Sequence, residues 1–234
     1  MIDNILFLDI ETVPEFRHFE NLSHEKRHLW ESKTRFQRKA DDTPQGFYER
    51  AGIYAEFGRI ICIGAGYFDK SEGERRFRLH SFRDDDEKTL LVRFVKLLDE
   101  RFSGKHSRLC AHNGKEFDFP FICRRMVVHD LKLPTALNVS GKKPWETSFV
   151  DTLECWKFGD HKNYTSLQLL ANVLGIPTPK DDIGGGDVRR VYYEENDMAR
   201  IASYCSKDVI TVCRVFLRIH RMGILSDHEI SLMD

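Results

Sequence analysis

The sequence predicts an α/β fold in a single domain, and three observations carry that prediction. A short, nearly continuous apolar run stands close to the amino end, two further strand-like stretches follow it, and a long amphipathic helix lies near the carboxyl end. At 234 residues the chain suits one such domain with insertions.

Ile5 to Ile10 (ILFLDI) reads as a strand covered on both faces, in the middle of a sheet. Arg59 to Phe68 and Arg75 to Phe82 read as two more strands, joined by the turn-prone Lys70-Ser71-Glu72-Gly73 into a meander. Asp84-Asp85-Asp86 then opens a helix, in which Leu90, Leu91, Phe94, Val95, Leu98 and Phe102 keep helical spacing until Gly104. Leu109-Cys110-Ala111 is a fourth strand that runs into His112-Asn113-Gly114, and Phe117 to Val128 has helical character. Val150 to Cys155 reads as a fifth strand, and Leu167, Leu170 and Leu174 form a short helix closed by Gly175 and Pro177. The last helix is predicted from about Glu195 to Met222, with Ile201, Cys205, Val209, Val212 and Phe216 on its stripe and Gly223 as its stop. Residues 17–55, polar but studded with Trp30, Phe36, Phe47, Tyr48 and Tyr54, are expected to be a helical insertion between the first two strands. Ile183 to Asp187 (IGGGD) is expected to be a flexible loop.

Composition narrows the function classes. Hydrophobic residues at 41% and charged residues at 31% exclude a disordered chain, and a net charge of −1 excludes a global basic coat, so any nucleic-acid site must be local. The six cysteines are scattered without a C-x-x-C pair and read as reduced thiols of a cytosolic protein. No secretory signal opens the chain and no apolar run reaches the roughly 20 residues of a membrane span, so a cytoplasmic location without a membrane is expected.

Three short motifs carry chemistry. In Asp9-Ile10-Glu11 the two carboxylates stand two apart on a strand and so project from one face; they are either ordinary acids at a strand end or a pair held together by a divalent cation. Asp118 sits among Phe117, Phe119, Phe121 and Ile122 at a helix start, where it either caps the helix or carries a charge inward to a metal. Tyr204 and Asp208 lie four apart on one helix face; Asp208 either pairs with a basic residue at the rim or joins a site.

The order D-x-E, then N-x-x-x-F-D, then Y-x-x-x-D resembles the DEDD superfamily of 3′→5′ exonucleases, in the branch with tyrosine in its last motif. It is most similar to free-standing bacterial relatives of the proofreading domain of family B DNA polymerases. The resemblance runs from Phe7 to about Phe216 and includes the DTLECWKFGD stretch from Asp151 and the SLQLLANVLGIP stretch from Ser166. It implies a ribonuclease H-like fold, a mixed central sheet flanked by helices. It also implies that Asp9, Glu11, Asp118 and Asp208 ligate two divalent metal ions, Mg2+ or Mn2+, and that Tyr204 orients the attacking water. The expected activity is hydrolysis of phosphodiester bonds from the 3′ end of single-stranded DNA with release of nucleoside 5′-monophosphates; RNA is the alternative substrate, and a noncatalytic end-binding module a third reading. With the first motif just behind Met1 and the third near the end, a stand-alone enzyme is expected rather than a polymerase fragment.

Such chemistry suits these residue types. Two ions about 3.5–4 Å apart supply hydroxide on one side and stabilise the leaving oxygen on the other, and hard oxygen ligands without a histidine or cysteine set favour magnesium or manganese over zinc. His112, alone beside the second motif, reads as structural. Tyrosine is a poor base, with a reference pKa of about 10, so Tyr204 is expected to hold a water rather than deprotonate it. Thr12, Asn113, Lys115 and Phe117 are the candidate substrate contacts, with Phe117 read first as a core residue and Lys115 as either a phosphate contact or a solvated loop lysine; Lys180 carries the same two readings as Lys115. Lys26, Arg27, Lys33, Arg35, Arg38 and Lys39 form either a basic flank for the strand or a solvated face.

Overall fold

Side-chain alternation along the first strand sets the whole architecture. The computed structural model describes residues 2–70, 75–160, 162–178 and 183–233. Strand β1 (Ile5–Pro14) is flanked on one side by β4 (Arg108–Ala111) and then β5 (Phe149–Asp151), both parallel, and on the other by the antiparallel β2 (Gly58–Asp69) and β3 (Arg76–Arg83), with β6 (Ile230–Met233) parallel at the far edge. The sheet is therefore mixed and six-stranded, with β1 central as its apolar run requires.

Leu6, Leu8 and Ile10 point to one face, where they meet α3 (Glu87–Arg101) through Leu90, Leu91 and Phe94, and α4 (Asp118–Val128) through Phe119, Ile122 and Met126. Ile5 and Phe7 point to the other face and pack under α8 (Met198–Ile219), where Phe7 sits edge-on against Phe216 at 5.5 Å. Asp9 and Glu11 continue this second row, so the period of two delivers both acids to the α8 side. A bulge follows at once: Glu11 faces Cys62 but Thr12 faces Ile60, leaving Ile61 as the extra residue. Gly64 lets α8 come down on the sheet, because a Cβ there would meet Val209 at 2.7 Å and Cys205 Sγ at 3.0 Å.

The insertion has its own small core. Helix α1 (His24–Thr34), the single turn α2 (Pro44–Phe47) and a 3-10 stretch (Tyr48–Ile53) gather Leu22, Phe47, Tyr48 and Phe57 around Trp30, whose indole N–H donates to the Pro44 carbonyl at 2.8 Å. Between β5 and α8 the chain forms α5 (Thr152–Lys157), α6 (Leu167–Val173) and the short turn α7 (Val188–Arg190).

Three expectations are corrected, and one element is new. The fifth strand is shorter than predicted: it stops at Asp151, because that side chain accepts the Leu153 amide and starts α5, so residues 152–155 are helical. The last helix begins at Met198 rather than about 195, since Asn196 takes a left-handed conformation and Asp197 caps the new helix through the Arg200 amide. It ends at Ile219, before the expected Met222. Strand β6 went unpredicted; its four residues lack a clear alternation. The turn from Ser71 to Gly73 and Lys180 lie outside the described residues.

Candidate active site

Each motif arrives on a different element, and the fold brings them into one cleft. Asp9, Glu11 and Thr12 come from β1, Asn113, Phe117 and Asp118 from the loop and first turn of α4, and Tyr204 and Asp208 from α8; all line a cavity of about 840 Å³. The placement of Asp118 is fixed by its own chemistry: one carboxylate oxygen accepts the Ile10 amide of β1 at 3.2 Å, which pins the start of α4 against the strand between the first two acids. The loop before it is shaped by Asp151. That buried carboxylate accepts the amides of Asn113 and Leu153 at 2.9 Å and of Lys115 at 3.1 Å, with Asn113 in the left-handed region at φ 59°.

The electrostatics of the cleft are adverse for the protein alone. Burial, and then Glu11, Asp118 and Asp208, push Asp9 well above the usual carboxylate range; burial, Asp208, Cys62 and Asp118 do the same to Glu11. Asp118 is pushed up to about 7, burial outweighing the backbone amides that stabilise its charge. Burial, followed by Asp208, Glu11 and Asp9, drives the Tyr204 hydroxyl far above its ordinary range, so it stays a neutral donor. Among the described residues, the tightest set of potential ligand atoms is Asp9, Glu11 and Cys205, within 4.8 Å of one another, with Asp118 and Asp208 farther out in the same cleft. The Cys205 thiol donates to the Asp9 carbonyl at 3.5 Å and burial raises it well above its usual value, so it stands as a neutral support under the acids. Four hard oxygen donors in one cleft, with Asp9, Glu11 and Asp118 raised by burial and by neighbouring acids, fit a magnesium- or manganese-type cation.

Other candidates are placed as follows. Thr12, Asn113 and Phe117 line the cleft, and Phe117 also packs on Phe121 with ring centres 5.4 Å apart. Lys115 does not reach it: its ammonium turns to Glu154 on the outer side of α5. His112 bonds Thr152 Oγ1 and the Thr165 carbonyl, both at 2.9 Å, and burial lowers its pKa, which accords with a structural part. Of the basic residues expected to form a flank, Lys26 pairs with Glu15, Lys33 with Glu56, and Arg38 holds the carbonyls of Glu31 and Asp42, and none of these three lines the cleft. His24 and His28 have a four-residue zinc spacing on α1 that the motif reading passed over; both are exposed, and neither belongs to a group of three or more potential ligands among the described residues.

Sequence reasoning also missed Tyr164, Arg50, Ile53, Arg189 and Arg190, which line the same cleft. Only Tyr164 lay near a signal, two residues ahead of the SLQLLANVLGIP stretch.

The mixed sheet with an acid-lined cleft over its central strand is the ribonuclease H-like fold. The chain belongs to the family described as predicted 3′-5′ exonucleases related to the exonuclease domain of PolB, whose pattern matches residues 53–231. Among solved structures, the family B DNA polymerase of the hyperthermophilic archaeon Pyrobaculum calidifontis superposes with a TM-score of 0.52 at 15% identity, over 91% of this chain. The chain spans about a quarter (24%) of that polymerase. No curated protein matches it. No described helix is long and apolar enough to cross a membrane.

Proposed function

We propose that the chain acts as one exonuclease domain that hydrolyses phosphodiester bonds from the 3′ end of single-stranded DNA and releases nucleoside 5′-monophosphates. The observation that carries this reading is the meeting of Asp9, Glu11, Asp118 and Asp208 with Tyr204 in one cleft, from three separate elements. Asp9, Glu11, Asp118 and Asp208 would hold two divalent ions, magnesium or manganese. Such ions, when bound, make water acidic and stabilise the departing 3′ oxygen. Tyr204 donates its neutral hydroxyl to hold the attacking water in line, and Phe117 and Thr12 seat the terminal nucleotide beside the acids. With all six thiols free, the cytoplasm is the compartment proposed.

A 5′-labelled single strand incubated with manganese or magnesium tests this directly. A ladder shortening from the 3′ end with mononucleotide products is expected, faster on DNA than on a matched RNA. Folded protein that leaves the strand intact with either metal would sink the proposal, and faster RNA decay would reassign the substrate.

A further inference from the structure

One stretch of the cleft wall lies outside the three motifs and, up to its last residue, ahead of the family pattern. Glu49, Arg50, Gly52 and Ile53, the last turn of the insertion, line the same cleft as the acids, and the family pattern begins only at residue 53. This wall is built to hold its position. A Cβ on Gly52 would lie 3.2 Å from the backbone of Thr12 and Val13, and one on Gly58 would lie 2.8 Å from the Gly52 carbonyl, so the turn presses backbone to backbone against the strand that carries Asp9 and Glu11. Behind it, Trp30 touches the rings of Phe47, Tyr48, Tyr54 and Phe57.

The charges on the two sides of the cleft differ. Arg189 is engaged by Glu194 and by the Arg17 carbonyl, and Arg190 by Asp187 and Glu195. Arg50 is exposed, lies over the Phe47 ring at 5.3 Å, and has no carboxylate partner among the described residues. Ile53 leaves half of its surface exposed (50%) at the cleft. A cation without an acid, next to an exposed apolar side chain and fixed rigidly to a catalytic strand, matches one nucleotide of a strand: phosphate for the first, base or sugar for the second.

Resting on the exonuclease reading, we propose that residues 49–53 grip the substrate strand upstream of the terminal nucleotide, with Arg50 on a backbone phosphate and Ile53 against the adjoining nucleotide. The insertion is thereby a substrate clamp, and the preferred substrate is a single strand at least two nucleotides deep in the cleft.

The test is anisotropy of a fluorescein-labelled single-stranded oligonucleotide in EDTA and with calcium, across a salt series, together with KM and kcat for its digestion with magnesium. Arg50→Ala should weaken binding and raise KM roughly tenfold, and flatten the plot of log affinity against log salt by about 0.7. Arg50→Lys should restore the slope. Lys88→Ala, which removes an exposed charge on α3 outside the cleft, should change neither. Arg50→Ala binding with wild-type affinity and slope overturns the clamp, as does an equal effect from Lys88→Ala or wild-type protein that binds no strand. Arg50-dependent binding by a wild-type protein that removes no nucleotide defeats the exonuclease reading and leaves the clamp standing. Digestion with an unaltered KM in Arg50→Ala does the reverse.

Discussion

Glu87 and Glu11 are buried to nearly the same degree, 4% and 6% exposed, yet their surroundings are opposite in sign. Glu87, at the start of α3, accepts the Ile60 amide at 2.7 Å, both Nε and Nη2 of Arg125, and His129 Nε2 at 2.7 Å, while Arg125 Nη1 reaches the Ala55 carbonyl at 2.8 Å. One carboxylate thus joins β2, α3, α4 and the end of the insertion. Glu11 instead meets Asp208 and Asp118, and burial adds to the same unfavourable sum. A buried acid with its own arginine completes a scaffold. A buried acid among acids is complete only with a cation from outside, which is why such clusters mark sites rather than supports.

The largest expected effect follows from that contrast. Asp9→Ala should lower turnover on a labelled strand by at least about 10³-fold, while Tm in metal-free buffer stays level or rises, because one of four repelling carboxylates is gone. Retained activity with a fall of many degrees in Tm would make Asp9 a structural acid like Glu87.

Glu87→Ala probes the other half of the comparison. It leaves Arg125, 7% exposed, without its partner, and should cost about 3–5 kcal/mol of stability by urea denaturation. Glu11→Gln, measured beside it without metal, should be neutral or stabilising. Equal losses in the two variants would erase the distinction between scaffold and site.

A smaller effect is expected from Tyr204→Phe. The ring and its packing remain and only the donor to the water is lost, so kcat should fall roughly 10- to 100-fold with KM little changed. A loss as deep as that of Asp9→Ala would place Tyr204 in the chemistry itself.

How much of this was legible in the sequence depends on whether a feature has a period. The Ile5 to Ile10 run, the α3 stripe and the α8 stripe have one, and they placed the central strand and its two covering layers. The pairing of Asp9 with Glu11 and of Tyr204 with Asp208 followed from the same periods. Asp118 was legible only as a polar residue among aromatics; the reason it points inward is the Ile10 amide, 108 residues away. Asp151 ended the predicted strand early by capping α5 through the Leu153 amide, and its other two amide partners, Asn113 and Lys115, are joined to it by no local pattern. Arg50 and Ile53 were invisible: their place in the cleft is set by Gly52 against the β1 backbone and by the aromatic cluster on Trp30, contacts between segments without any common period.

The most delicate test of the comparison is the pH dependence of stability. Asp118 rises from an ordinary carboxylate value to about 7 in the folded chain, and Asp9 and Glu11 rise as well. The folded state then keeps protons that the unfolded chain has already released, so the stability Asp118 contributes is full below about pH 4 and is lost as pH climbs through about 7, with Asp9 and Glu11 acting in the same direction. A divalent cation favours the charged forms and reverses the sign of the problem. Metal-free Tm should therefore decline between about pH 4.5 and 7.5, the increment given by magnesium should be larger at the upper end than at the lower, and Asp118→Asn should shrink both trends. Melts with EDTA and with magnesium across that range measure each quantity. A magnesium increment that is the same at both ends would mean that the ion binds somewhere other than the raised carboxylates of Asp9, Glu11 and Asp118, and the contrast with Glu87 would lose its chemical basis.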